Sequence, residues 1–128
     1  MRIDHIALYC RDLEMMRHFF EHYFGASSNR MYHNPKTGFS SYFLSFNEGS
    51  TRLEIMSRPD VSAPSRSSCL GWAHIALAVG DHKHVDLLTK ELAVDGYQTL
   101  SGPRLTGDGY YESCVLGPEG IVIELTEG

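Results

Sequence analysis

An imidazole near the start of one apolar run and a carboxylate inside a later one occur twice along this chain of 128 residues. His5 lies in Ile3-Asp4-His5-Ile6-Ala7-Leu8 and Glu54 in Arg52-Leu53-Glu54-Ile55-Met56; His74 lies in Trp72-Ala73-His74-Ile75-Ala76-Leu77 and Glu124 in Val122-Ile123-Glu124-Leu125-Thr126. Histidine and glutamate are 49 residues apart in the first pair and 50 in the second, and the two pairs are offset by 69 and 70 residues. Such constancy marks two copies of one supersecondary unit, each able to deliver one imidazole and one carboxylate to a shared place. Nitrogen and oxygen donors without a thiolate suit Zn, Ni, Co, Fe or Mn and leave room for more than four ligands. An ion so held polarises a carbonyl and stabilises a developing enolate, while a carboxylate beside it takes a proton from the adjacent carbon. Proton transfer alpha to a carbonyl therefore suits the set better than electron transfer.

Taken singly, none of the four would carry that reading. A strand histidine is more often a hydrogen-bonded structural residue, and a glutamate between aliphatics is usually the solvent side of a half-buried strand. The recurrence in pairs is what distinguishes them. His18 and His22 fall on the polar side of a helix, and His82 and His84 begin another, so solvation explains them. His33 falls in a loop, and Tyr110, Tyr111 and Arg104 near a glycine-rich stretch could line a pocket mouth, but ordinary surface packing explains them equally well.

The elements that must position the four follow from periodicity. Residues 3–9 alternate as a strand, with Ile6 and Leu8 on one face and Ile3, His5, Ala7 and Tyr9 on the other. Asp12 caps a helix whose apolar residues Leu13, Met16, Phe19, Phe20, Tyr23 and Phe24 recur at helical steps, and Gly25 ends it. Residues 26–38 are polar, with a turn at 34–38 and room for a short strand around 30–33, before strands at 39–46 and 51–57 joined as a hairpin. The plan then repeats. A strand over 72–79 leads to a helix capped by Asp81, with Val85, Leu88 and Leu92 on its inner face and Gly96 after it. A strand at 97–100 is broken at Ser101-Gly102-Pro103, and a hairpin of 110–116 and 121–126 turns around Gly117-Pro118-Glu119-Gly120. The expected architecture is α+β: one domain over 1–128, made of two βαβββ modules at 1–58 and 71–128 and a Ser/Pro-rich linker over 59–70. Leu53 and Ile55 flank Glu54, and Ile123 and Leu125 flank Glu124, so alternation sends the aliphatics beneath the helices and the carboxylates to the opposite face.

Composition limits the alternatives. A net charge of −5 with eleven scattered Lys and Arg argues against a nucleic-acid partner, which needs a concentrated basic surface. No uninterrupted apolar stretch approaches the roughly 20 residues of a membrane helix, and the N-terminus lacks the plan of a secretory signal. The expectation is a cytoplasmic protein that binds a small molecule. Cys10, Cys69 and Cys114 have no metal-binding or redox spacing and read as free thiols.

The opening Asp4-His5-Ile6-Ala7-Leu8, the central Gly71-Trp72-Ala73-His74-Ile75-Ala76-Leu77 and the closing Gly117-Pro118-Glu119-Gly120-Ile121-Val122-Ile123-Glu124-Leu125 resemble the vicinal oxygen chelate superfamily. Within it the resemblance is to glyoxalase I (lactoylglutathione lyase) of the bacterial type. It implies paired βαβββ modules curling into an incomplete barrel with the helices outside, a homodimer, and a divalent ion, commonly Ni or Zn, bound by His5, Glu54, His74 and Glu124. It further implies isomerisation of the hemithioacetal of methylglyoxal and a thiol, through an enediolate, to an S-lactoyl thioester, with Glu124 as the base and Glu54 as its counterpart. Bacterial-type members carry an arginine in the first strand and an asparagine just after the first metal glutamate, both engaging glutathione. Tyr9 and Arg58 stand at those places here, and a different thiol or another small carbonyl substrate accommodates the change. Two other readings use the same framework: a metalloenzyme of other chemistry, such as a thiol transferase or dioxygenase, which needs only three of the four ligands, and a metal-free drug-binding protein.

Overall fold

A computed structural model of the chain describes residues 3–47, 49–62, 72–107 and 109–128. They fall into two compact units, Met1–Ala63 and Pro64–Gly128. The first contains β1 (His5–Tyr9), α1 (Leu13–Phe24), β2 (Ser27–Ser28), β3 (Tyr32–Asn34), β4 (Phe39–Ser45) and β5 (Arg52–Ser57). The second contains β6 (Ile75–Gly80), α2 (His82–Val94), β7 (Gln98–Leu105), β8 (Tyr111–Leu116) and β9 (Val122–Glu127). Each unit is a mixed sheet with one helix on one face, the α+β class expected.

In the first sheet the order is β1-β5-β4-β2, with β3 also on β4; in the second it is β6-β9-β8-β7. The first strand of each unit runs parallel to the last, β1 beside β5 and β6 beside β9. That pairing requires a crossover, which α1 and α2 supply. Asp12 accepts from the Met15 amide at 2.9 Å and Asp81 from the His84 amide at 3.0 Å, so both helices begin at the side-chain caps that the sequence predicts. Gly25 closes α1 with φ of 61°, in the left-handed region where only glycine is without strain.

The helix-facing sides form the cores. In the first unit Met16 and Phe20 of α1 are fully buried with Leu44 and Ile55, each such side chain stabilising the fold by about 1.5–3 kcal/mol. In the second, Val85 and Leu92 of α2 are buried with Val115, Ile123 and Leu125. Thr89, rather than Leu88, completes the buried stripe of α2. Its hydroxyl donates to the Val85 carbonyl at 2.6 Å and lies 2.6 Å from that of Ser113, which is also fully buried. A hydroxyl has one proton, and that of Thr89 is committed to Val85, so Ser113 is the donor to Thr89.

Two further expectations need correction. Ser101-Gly102-Pro103 does not end a strand, because β7 continues through it to Leu105 with register shifts on either side of Ser101 that absorb the irregularity. Gly102 sits there because a Cβ would come within 2.5 Å of the Glu112 carbonyl oxygen, and its φ is 77°. His33 lies in β3 rather than in a loop, with Nδ1 2.8 Å from the Ser40 hydroxyl across the β3/β4 pairing. Residues 63–71, which include most of the expected linker and Cys69, lie outside the described residues. Among those described, no helix is long and apolar enough to cross a membrane.

Candidate metal centre

The parallel pairing of first and last strands places the ligands. In the first unit Ala7 is opposite Glu54 and Ile6 opposite Leu53, and because in-register parallel residues point the same way, His5, Ala7 and Glu54 share the face away from α1. In the second, Ala76 is opposite Glu124 and Ile75 opposite Ile123, with His74 one residue ahead of β6 on the Ala76 side. An alanine between histidine and carboxylate in each copy leaves space for the two side chains to lean together.

They do so with nearly equal geometry. His5 Nε2 lies 3.9 Å from Glu54 Oε2 and His74 Nε2 3.6 Å from Glu124 Oε2. The imidazoles are 41% and 42% exposed and the carboxylates 15% and 21%. Both separations exceed hydrogen-bonding distance, and among the described residues no hydrogen bond reaches either carboxylate. Half-buried carboxylates without donors are poorly compensated for lost water, which a cation would remedy. Two donors about 2.1 Å from one ion at right to tetrahedral angles lie roughly 3.0–3.4 Å apart, so a small side-chain rotation brings either pair into range. The donor set fits a divalent ion in both units.

The surroundings differ. Phe43 of β4 is opposite Glu54, and its ring meets His5 edge-on at 5.3 Å. Cys114 of β8 holds the equivalent place opposite Glu124. Burial, reinforced by the negative charges of Glu124 and Glu112, pushes the Cys114 thiol above its ordinary value, so it is protonated at neutral pH and a poor ligand or nucleophile. Cys10 is buried, and its thiol donates to the Met56 carbonyl at 3.6 Å. Among the described residues His5 has a partner that His74 lacks: Asp4 Oδ2 is 3.1 Å from His5 Nδ1 and accepts from Arg52 Nη2 at 2.6 Å.

The chain matches the glyoxalase/bleomycin resistance protein/dioxygenase superfamily over residues 2–125. It belongs to that superfamily. It is also 30% identical over 128 residues to the uncharacterized Bacillus subtilis protein YwkD, covering 98% of this chain and 95% of the relative. A glyoxalase family protein from Enterococcus faecalis superposes with a TM-score of 0.78 at 26% identity, covering 98% of this chain and 97% of that one. The trypanothione-dependent glyoxalase I of Leishmania major shares the fold, with a TM-score of 0.80 at 22% identity over 99% of this chain and 86% of that one.

Other residues singled out by sequence lie elsewhere in this superfamily member. His18 and His22 are exposed on α1. His82 pairs with Glu127 at 2.8 Å and stacks on Tyr111, and His84 pairs with Asp81 at 2.6 Å. Tyr111 points to the helix side of its sheet, where it donates to Asp86 at 2.7 Å, so it is no part of the ligand face. Arg104, opposite Glu112, is on that face. Arg58 lies 5.7 Å over the Tyr9 ring and donates to Asp60. Two shallow depressions of about 400 and 480 Å³ contain none of the four ligands. Neither the Asp4–Arg52 support of His5 nor the Phe43/Cys114 difference follows from motif spacing, although the sequence does show aspartate before one histidine and alanine before the other.

Proposed function

We propose that this protein is a metal-dependent isomerase of the glyoxalase I kind, acting as a cytoplasmic homodimer, in which His5, Glu54, His74 and Glu124 hold one Ni or Zn ion. The observation that carries this reading is the repetition of one half-site: an imidazole nitrogen and a carboxylate oxygen 3.9 Å apart in one unit and 3.6 Å apart in the other, on equivalent strands. When bound, the ion supplies charge stabilisation for oxygens that become negative during proton transfer. Glu124 takes the proton from the thiol-bearing carbon of the hemithioacetal and returns it to the neighbouring carbon, while the hydroxyl proton of the first carbon passes to the oxygen of the second, so that the adduct becomes a 2-hydroxyacyl thioester without net redox change. Glu124 suits this role because its lateral neighbours, Ala76 and Cys114, are small, whereas Phe43 crowds Glu54. His5 and His74 would bind through Nε2, the nitrogen that lies on the carboxylate side in each pair.

A thiol other than glutathione, or another small carbonyl substrate, accommodates Tyr9 and Arg58 at the places where bacterial-type members engage glutathione. Tyr9 and Arg58 are engaged with each other, and Arg58 also with Asp60, which supports a different acceptor for the thiol's polar end. The test is an assay of metal-reconstituted protein with methylglyoxal and, separately, glutathione and other low-molecular-weight cellular thiols. Thioester formation with at least one thiol, dependent on the metal, is expected; a stoichiometrically loaded protein inactive with every thiol would remove the isomerase reading.

A further inference from the structure

We propose that Asp4, pinned by Arg52, is a positioning residue that fixes the His5 ring with its proton on Nδ1 and its Nε2 lone pair toward Glu54, and that the second half-site lacks this device. The inference rests on the reading of His5 as a metal ligand and assigns the two halves different duties.

An ionised carboxylate only accepts hydrogen bonds, so the His5 nitrogen 3.1 Å from Asp4 Oδ2 must carry hydrogen. The free Nε2 then faces Glu54. Asp4 is itself held from two directions. Arg52 donates to it through Nη2 at 2.6 Å, and the Arg52 amide bonds the Asp4 carbonyl at 3.0 Å, extending the β1/β5 ladder past His5. The Arg52 guanidinium in turn lies 4.4 Å over the Phe43 ring, which meets the His5 ring edge-on. Asp4, Arg52, Phe43 and His5 thus close a ring of contacts that leaves the imidazole little freedom. Outer partners of this kind set tautomer and orientation, and losing one costs metal affinity.

At the equivalent place before His74 stands Ala73, which offers no acceptor, and Phe43 is replaced by Cys114. His74 has Glu124 as its neighbour and, among the described residues, no carboxylate behind it. The first half-site is therefore the rigid anchor of the ion, and the second keeps the mobility that a proton-carrying glutamate needs.

The tautomers can be read in the metal-free protein by long-range 15N–1H correlation NMR at mildly alkaline pH. His5 is expected almost wholly in the Nδ1–H form in the wild type and as a mixture in Asp4→Ala, with Arg52→Gln in between and His74 a mixture throughout. Asp4 is half-exposed, so D4A should fold; circular dichroism confirms that each variant does. A His5 signal unchanged in D4A, or a His74 signal as uniform as that of His5, would overturn the proposal. Zinc competition titration separates it from the metal reading: D4A should bind about 10-fold more weakly. Wild-type zinc binding with no change in D4A would refute the positioning role while sparing the metal site. A tautomer shift in a protein that binds no zinc would support the fixing of His5 and refute its role as a ligand.

Discussion

The two units present the same pair of donors from interiors that share little. Beneath β4 and β5 the packing is aromatic: Phe19, Phe20 and Phe24 contact one another, and Phe20 also meets Phe46. Beneath β8 and β9 it is aliphatic, with the buried Thr89–Ser113 pair where the first unit has Phe20 and Tyr42. Tyr42 instead donates to Glu14 of α1 at 2.6 Å. Yet the histidine–glutamate separations differ by only 0.3 Å between 3.9 and 3.6 Å. Placement of the donors therefore depends on strand alternation and on the parallel register of first and last strands, not on what fills the core. Chemistry is free to diverge on the ligand face itself, where Cys114 stands in the second unit at the place of Phe43 in the first, and Ala73 at the place of Asp4.

The sharpest way to break the equivalence is at the carboxylates. Glu124→Gln should lower kcat by about 10³-fold, within the range for loss of a general base, while Glu54→Gln should act mainly by weakening metal binding. Parallel kinetic and metal-affinity measurements on both variants decide it, and equal kcat losses at saturating metal would deny the division of labour. Next in size is the core contrast. Phe20→Ala should destabilise by about 3–5 kcal/mol, at the upper end for core truncations, as read from urea unfolding.

A smaller effect is expected at the polar pair of the second unit. Thr89→Val leaves the Ser113 hydroxyl buried without an acceptor and should cost about 1–3 kcal/mol, whereas the T89V/S113A double variant, which removes both polar groups, should recover much of that loss. Additive losses would show that the hydroxyls do not act as a pair. The smallest effect belongs to Tyr42. Its hydrogen bond to Glu14, together with Arg17, holds that carboxyl below its ordinary value, and the same bond pushes the Tyr42 phenol up. A lowered carboxyl contributes stability above its unfolded value of 4.5 that is lost as pH falls through the folded one; a raised phenol contributes stability below 10.0 that is lost as pH rises past it. Tyr42→Phe should therefore cost about 1 kcal/mol near neutrality, and the difference from wild type should shrink toward both acid and alkaline ends of a pH-dependent unfolding series.

Much of this was legible in the residues because the relevant signals are periodic. Alternation around His5, Glu54 and Glu124 puts them opposite the aliphatics, and Asp12, Asp81 and Gly25 mark the helix ends through local capping chemistry. Non-local effects were not legible. Gly102 and Pro103 look like breakers, but β7 crosses them because its partner β8 continues and bulges take up the mismatch. Thr89 scores as polar in a helical pattern, and only Ser113, 24 residues away in sequence, makes its burial sensible. The support of His5 by Asp4 depends on Arg52 reaching across from β5, a partner 48 residues distant that no spacing rule connects to it.

Titration of metal-free protein with zinc by calorimetry, for the wild type and for His5→Ala and His74→Ala, tests most directly whether the two half-sites serve one ion. A single event of one zinc per chain is expected, weakened by either substitution although the two residues belong to different units. Two zinc ions per chain, or a substitution in one half that leaves the stoichiometric event untouched, would contradict it.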